Sequence, residues 1–439
     1  MYILKTISVF LLLACLVSCS GRKGVADPAD YNSFLNPKNW RNEANRMENE
    51  FLFWGNRLSK DTGNIVDMLK LASLHGGYFE KRGGIQDLHT ADSLLRQSGS
   101  KLGNGDPDIY FALTKNAMTR HGFIEAEAFL DSAMKRNPDP YRASLMNFES
   151  SLEKGRLSLA AHSLQSISDY TDFNFLVRKS RFEDIRGNLD EAIALMEQAL
   201  DRVRHSGKPL FCWTLSNLGD LYGHAGKIEK SYRAYMEVLK KDSTHAHSLK
   251  GIARIAFSHD RNPVEARRIL AFLYGRVQSP DLLLDLADVE EWKGNRKATD
   301  EYRQKFIQEV TNSAYGGMYN KYLILLYAER KEWQGEALRL AQEEIINRPT
   351  PETYEWLAWA YHCAGKADKA SEILNSYVYK RNFEPASLWR MARIYHASGD
   401  SEKAKSLLVQ CRESRFELGP LQSRNVEELC RKTGLIWKN

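Results

Sequence analysis

The chain has 439 residues, 43% of them apolar, with 62 lysines and arginines against 56 aspartates and glutamates and a formal net charge of +6. That length exceeds one compact core, which would divide at about 150 residues per domain unless the chain grows lengthwise as a repeat array. The apolar content excludes wholesale disorder, and the interleaved charges, with no basic run, offer no electrostatic track for nucleic acid.

Residues 1–18 read as an export signal. Lys5 supplies a positive start, and Ile7 to Val17 form an apolar stretch too short to span a bilayer. The stretch ends in Leu16-Val17-Ser18-Cys19, which resembles the lipobox of bacterial lipoproteins. The resemblance implies cleavage before Cys19, acylation of its thiol and new amine, and attachment to a membrane through several acyl chains. A second box ending in Cys15 would leave Leu16 and Val17 on the mature end, so Cys19 is the expected lipidation site. By the same resemblance Ser20, which is not aspartate, implies transfer to the outer membrane. Residues 21–24 are not an acidic surface-export run, so a periplasm-facing position is expected. Residues 19–40, with glycine, aspartate, asparagine and two prolines, read as a flexible tether.

Residues 41–98 read as a leading helical unit. Glu50 to Leu58 carries Phe51, Phe53 and Trp54 on an amphipathic helix, followed by a hairpin of Ile65 to Phe79 and Leu88 to Gln97 around Gly83-Gly84.

One pattern starts at the end of this unit and recurs through the repeat array of residues 99–415: a small residue, three spacers, a large apolar residue, two spacers, then an apolar or small residue. It begins at Ala91/Leu95/Ser98 and continues at Ala126/Leu130/Ala133, Ala160/Leu164/Ile167, Ala192/Met196/Ala199, Ser231/Tyr235/Val238 and Ala266/Leu270/Leu273. A weaker copy starts at Thr299, and Ala337/Ala341/Glu344, Ala370/Leu374/Tyr377 and Ala404/Leu408/Cys411 follow. The interval stays near about 34 residues. The preceding helices repeat as well: Tyr354, Leu357-Ala358, Tyr361, Gly365; then Leu388, Met391-Ala392, Tyr395, Gly399; and Leu215, Leu218-Gly219, Tyr222, Gly226. Small residues let paired helices approach, and the glycines can end the first helix in the left-handed region.

These residues resemble the tetratricopeptide pattern over nearly all of 60–415. The segment Ala337 to Leu408, centred on Trp356-Leu357-Ala358-Trp359-Ala360, is similar to envelope and secreted bacterial tetratricopeptide proteins. The resemblance implies an all-α fold, a right-handed α-solenoid of about ten helical hairpins, and a partner-binding, non-catalytic role. Glu183 and Glu290 stand where the pattern has tyrosine, which reads as drift in a tolerant repeat. Gly419-Pro420 stops the array, and residues 416–439 are expected to cap its last apolar face through a helix from Val426 to Leu435.

Motifs for chemistry are missing. There is no His-Glu-x-x-His helix, no Gly-x-Ser-x-Gly elbow and no phosphate loop. Cys212, Cys363, Cys411 and Cys430 form no Cys-x-x-Cys pair and read as small apolar packing, so no metal, cofactor or enzymatic activity is expected. In this family the first helices line a concave groove. The register places Trp213, Ser216 and Asp220 there, then His247, Lys250 and Arg254, then Glu355, Trp359 and His362, then Trp389, Arg393 and His396. Trp359 and Trp389 fall outside the apolar packing positions, so this wall suits an extended protein or peptide segment. Lys250 and Arg254 partly match the carboxylate clamp of the family but lack its asparagines, which leaves an affinity for an acidic segment. A glycan or peptidoglycan fragment stacking on Trp213 and Trp389 is the competing ligand.

Overall fold

The computed structural model describes residues 24–167, 169–311 and 314–436. The export signal and Cys19 lie outside the described residues. Within them every regular element is helical. A short α1 (Pro28–Tyr31) and a long α2 (Pro37–Lys60) lead into ten antiparallel hairpins. The first five are α3/α4 (Ile65–Arg82, Ile85–Lys101), α5/α6 (Pro107–Thr119, Phe123–Met134), α7/α8 (Pro140–Glu153, Leu157–Gln165), α9/α10 (Phe173–Ile185, Leu189–Val203) and α11/α12 (Lys208–His224, Ile228–Lys241). The second five are α13/α14 (Ala246–Arg254, Pro263–Tyr274), α15/α16 (Asp281–Trp292, Arg296–Thr311), α17/α18 (Asn320–Ala328, Gln334–Asn347), α19/α20 (Pro351–Cys363, Ala367–Ile373) and α21/α22 (Pro385–Ala397, Ser401–Glu413). A kinked α23 (Arg415–Lys432) closes the chain. The architecture is a tetratricopeptide-like α-solenoid.

The local causes are visible. Pro107, Pro140, Pro351 and Pro385 open first helices, and Pro263 a second one, where the missing N–H costs nothing and the ring presets a helical φ. The recurring small residues Ala126, Ala160, Ala192, Ala266, Ala337, Ala370 and Ala404 are all fully packed against the partner helix. Gly219 and Gly251 flank Tyr235 so closely that a methyl group on either would lie within 2.8 Å of its ring. Glu183 and Glu290 leave their helices regular. Each is buried and held by a lysine plus the asparagine after the turn glycine: Asn188 donates to Glu183 at 2.6 Å, and Asn295 to Glu290 at 2.9 Å.

The array winds onto itself. Hydrogen bonds join residues 193 to 226 positions apart, about six hairpins. Asn347 is a two-way clamp, accepting from the Phe123 N–H at 3.0 Å and donating to the His121 carbonyl at 2.7 Å. Lys154 donates to the Asn347 carbonyl at 3.0 Å, and Arg82 to the Arg276 carbonyl at 3.2 Å. Gly187, at φ +81°, sits under Phe383, and a Cβ there would lie 3.1 Å from the ring, so both backbone and neighbour require glycine. Hairpin turns of the first superhelical turn thus meet inter-hairpin loops of the second. The largest apolar core accordingly combines Phe79, Ile85 and Leu88 with residues beyond Leu283.

Two expectations about the ends are corrected. The flexible tether expected over 19–40 is docked from Val25 onward. Asp260 accepts from the Val25 and Ala26 N–H groups at 2.9 and 2.8 Å, and the wholly buried Tyr31 donates to Glu265 at 2.6 Å. These anchors lie more than 230 residues away in sequence, so composition alone could not reveal them. At the other end α23 does cover the last hairpin, with Val426, Leu429 and Cys430 joining the core of Leu408 and Cys411. It does more than cap, however. Gly419, at φ +68°, kinks it back toward the first superhelical turn, where it packs on a π turn, Ile255–His259, that extends α13.

Candidate partner-binding channel

A channel of about 960 Å³ runs between the concave face of the last six hairpins and the C-terminal segment. One wall comes from α11, α13, α15, α17 and α21, and the other from Phe416 to Lys432. The C-terminal wall is fixed at its entrance. Arg254 donates to the Glu417 carbonyl at 2.9 Å and lies over the Phe416 ring, while Phe416 packs on Gly223, where a Cβ would lie 2.9 Å from it.

Of the residues expected in a groove, Asp220, His247, Lys250, Arg254, Trp389 and Arg393 do line this channel. The others are placed differently. Trp213 is exposed at the rim of an adjoining hollow of about 500 Å³, shared with Arg178, Arg181 and Asp184 and meeting the channel at Asp220 and His224. Ser216 is buried, its hydroxyl donating to the Trp213 carbonyl at 3.0 Å. Glu355 is wholly buried and accepts from Arg390 at 2.6 and 2.8 Å and from Ser387 at 3.1 Å, so it ties two hairpins together instead of facing a ligand. Trp359 is 1% exposed and Trp389 4%, contrary to the expectation of free aromatic platforms. Their rings pack 5.7 Å apart beneath Arg393, whose guanidinium lies 5.0 and 5.2 Å from the two centroids. Stacking of successive hairpins closes over this part of the concave wall. His362 and His396 are part-buried beside them, and neither has a partner for its Nδ1. Burial and the Arg393 charge push the His362 imidazole down to about 4.

The affinity for an acidic segment through Lys250 is also corrected. Its ammonium is held by Asp281 and lies 3.1 Å from Asp285. Burial alone would lower its pKa, but the two carboxylates hold it above the usual lysine range. Asp281 is served first and stays below its ordinary value despite burial, whereas burial and the Asp281 charge raise Asp285. Asp220 accepts from His247 at 2.7 Å and from Tyr235; burial opposes ionisation, and these contacts keep it low.

The sequence register missed the acidic side of the channel. Asp285, Asp288, Glu291, Glu329 and Glu384 all line it. Burial, followed by the neighbouring Asp285 charge, pushes the Asp288 carboxyl up to about 7, although the group remains reachable by water from the channel. Glu329 is raised by burial against the pull of Arg303 and Arg393. Carrying the groove register on to α15 would have found Asp281, Asp285 and Asp288, but that hairpin and the next depart from the consensus.

Among the described residues no group of three His, Cys, Asp or Glu side chains could hold a metal ion. Cys212, Cys363, Cys411 and Cys430 are unpaired thiols, and burial pushes Cys363 and Cys411 up to about 12. No described helix is long and apolar enough to cross a membrane.

No family model and no curated protein match the chain. Solved structures of helical-repeat proteins do resemble it. Pseudomonas aeruginosa pilF is 16% identical, covering 48% of this chain and 96% of its own, with a TM-score of 0.36. A tetratricopeptide repeat protein from Parabacteroides merdae is 17% identical over 67% of this chain and 99% of its own, with a TM-score of 0.34. Yeast Tom70 is 10% identical over 93% of this chain and 97% of its own, at 0.35.

Proposed function

We propose that this protein is a non-enzymatic scaffold that holds a protein or peptide partner in the channel between its concave face and its C-terminal segment, within an envelope assembly, secretion or motility complex. The observation carrying this reading is the channel itself: about 960 Å³, open to solvent, and walled by charged side chains from five different hairpins. A surface spread over that many repeats suits an extended ligand better than a small molecule. Affinity purification from membranes tests it. Proteins recovered with the wild type and lost with Asp288→Lys/Glu329→Lys, at unchanged helical content, support the channel. Recovery of the same proteins by both forms contradicts it.

We further propose that Cys19 is lipidated and anchors the chain to the outer membrane, facing the periplasm. The lipobox-like Leu16-Val17-Ser18-Cys19 supports this, and the solenoid takes up the chain again from Val25, a few residues on. Metabolic palmitate labelling that survives Cys19→Ala would contradict it. A second ligand class, glycan or peptidoglycan fragments, is favoured only by Trp213, exposed beside a hollow that Arg178, Arg181 and Asp184 also line. Calorimetry with cell-wall fragments on wild type and Trp213→Ala decides that reading.

A further inference from the structure

The channel's cations are already committed. Lys250 is taken by Asp281 and Asp285, Arg303 by Glu291, Lys321 by Glu352 at 2.8 Å, and Arg390 by Glu355. Lys432 pairs with Glu428 at 2.7 Å, Arg254 donates to a carbonyl, and Arg393 is spread over two indole faces. The carboxylates are not matched in the same way. Asp288 on α15, Glu329 just beyond α17 and Glu384 at the start of α21 line the channel, and among the described residues no lysine or arginine lies within ion-pair distance of any of them. These three side chains come from three different hairpins, α15/α16, α17/α18 and α21/α22, so they are spread along the wall and are not one local cluster.

A second, independent feature lies on the same wall. Trp389 is 4% exposed, lines the channel, and its indole Nε1 has no acceptor. A buried indole N–H without a partner is costly and calls for a carbonyl.

Building on the scaffold reading above, we infer that the channel's occupant is an extended, basic segment of a partner protein. Its lysine or arginine side chains meet Asp288, Glu329 and Glu384, and one of its backbone carbonyls accepts from Trp389. The chemistry is complementary at both levels. Peptide carbonyls supply what the indole lacks, and ammonium or guanidinium groups supply the missing counter-charge. An acidic segment would face the same unpaired carboxylates and be repelled.

The test uses the full chain in detergent and two fluorescein-labelled nonapeptides, one alternating lysine with alanine and the other glutamate with alanine, read by anisotropy at low salt. The lysine peptide is expected to bind at least tenfold more tightly than the glutamate peptide. Asp288→Asn/Glu329→Gln should weaken it at least tenfold, whereas Glu301→Gln on the outer face should leave it unchanged. Equal weakening by Glu301→Gln, or no weakening by the channel variant, overturns the inference by making the binding a general surface effect. Tighter binding of the glutamate peptide, lost on Arg393→Glu, overturns the basic-segment assignment but leaves the channel as the docking site. Equal competition by spermidine overturns the requirement for a peptide backbone.

Discussion

Replacing Arg390 with methionine removes the only cation among the described residues that is hydrogen-bonded to Glu355. The carboxylate is wholly buried, accepts twice from the guanidinium at 2.6 and 2.8 Å, and keeps just Ser387 at 3.1 Å when the arginine is lost. Breaking a buried pair from one side costs about 3–5 kcal/mol, most of it the price of an uncompensated charge. Methionine fills much of the arginine volume, so little of that loss comes from a cavity. Replacing both partners, as Glu355→Leu/Arg390→Met, removes the stranded charge and should recover most of the loss, because burying an ion pair gains little over apolar packing. A repeat array need not unfold in one step, so the assay is hydrogen exchange across residues 351–413 and not a single melting temperature. Arg390→Met should lower protection there by about 3–5 kcal/mol, and the double variant should return to within about 1–2 kcal/mol of the wild type. A loss below about 1 kcal/mol for Arg390→Met would refute the assignment of Glu355 as a structural tie.

Asn347→Ala removes both hydrogen bonds that clamp the stacked turns at His121 and Phe123, a loss of about 1–3 kcal/mol; the Phe123 amide should exchange about tenfold faster or more, and unchanged exchange would place the junction elsewhere. Tyr31→Ala empties a fully buried site and breaks the bond to Glu265, costing about 3–5 kcal/mol of local docking. Protection of the Val25 and Ala26 amides should be lost, with faster tryptic cleavage after Lys38; retained protection contradicts the docked N-terminal segment. For Asp288 the folded value near 7 lies above the ordinary aspartate value of about 3.9, so the native state holds a proton the unfolded chain has released. That contribution to stability is complete below about pH 4 and fades as pH rises through 7, so the stability gain of Asp288→Asn over wild type should grow from pH 5 to pH 8, and a pH-independent difference would refute the shift.

The hairpins were legible in the sequence because a small residue is the only solution where two helices touch. Ala126, Ala160, Ala192 and their counterparts therefore recur at fixed spacing and are all packed in the structure. That signal is local, acting within about 34 residues. The stacking of the turns depends on contacts made about six hairpins apart, and the channel on the bond from Arg254 to the Glu417 carbonyl, 163 residues on; neither carries a periodic mark. Asn347, Lys154 and Asp260 look like ordinary polar positions until the turns are stacked. Trp359 and Trp389 each sit at a groove-facing register position, yet the stacking of adjacent hairpins brings the two rings together under Arg393, which the spacing within one hairpin does not show. Glu355 failed for a related reason, since its partner Arg390 lies one hairpin away and no rule of spacing links the two.

Site-specific photocrosslinking in cells tests the central claim most directly. A benzophenone amino acid placed at Arg393 or Lys250, inside the channel, is compared with one at Lys297 on the outer face. The account predicts a discrete crosslinked partner from both channel positions and none from Lys297. Adducts from Lys297 alone, with silent channel positions, would show that the solenoid docks its partner on the outside.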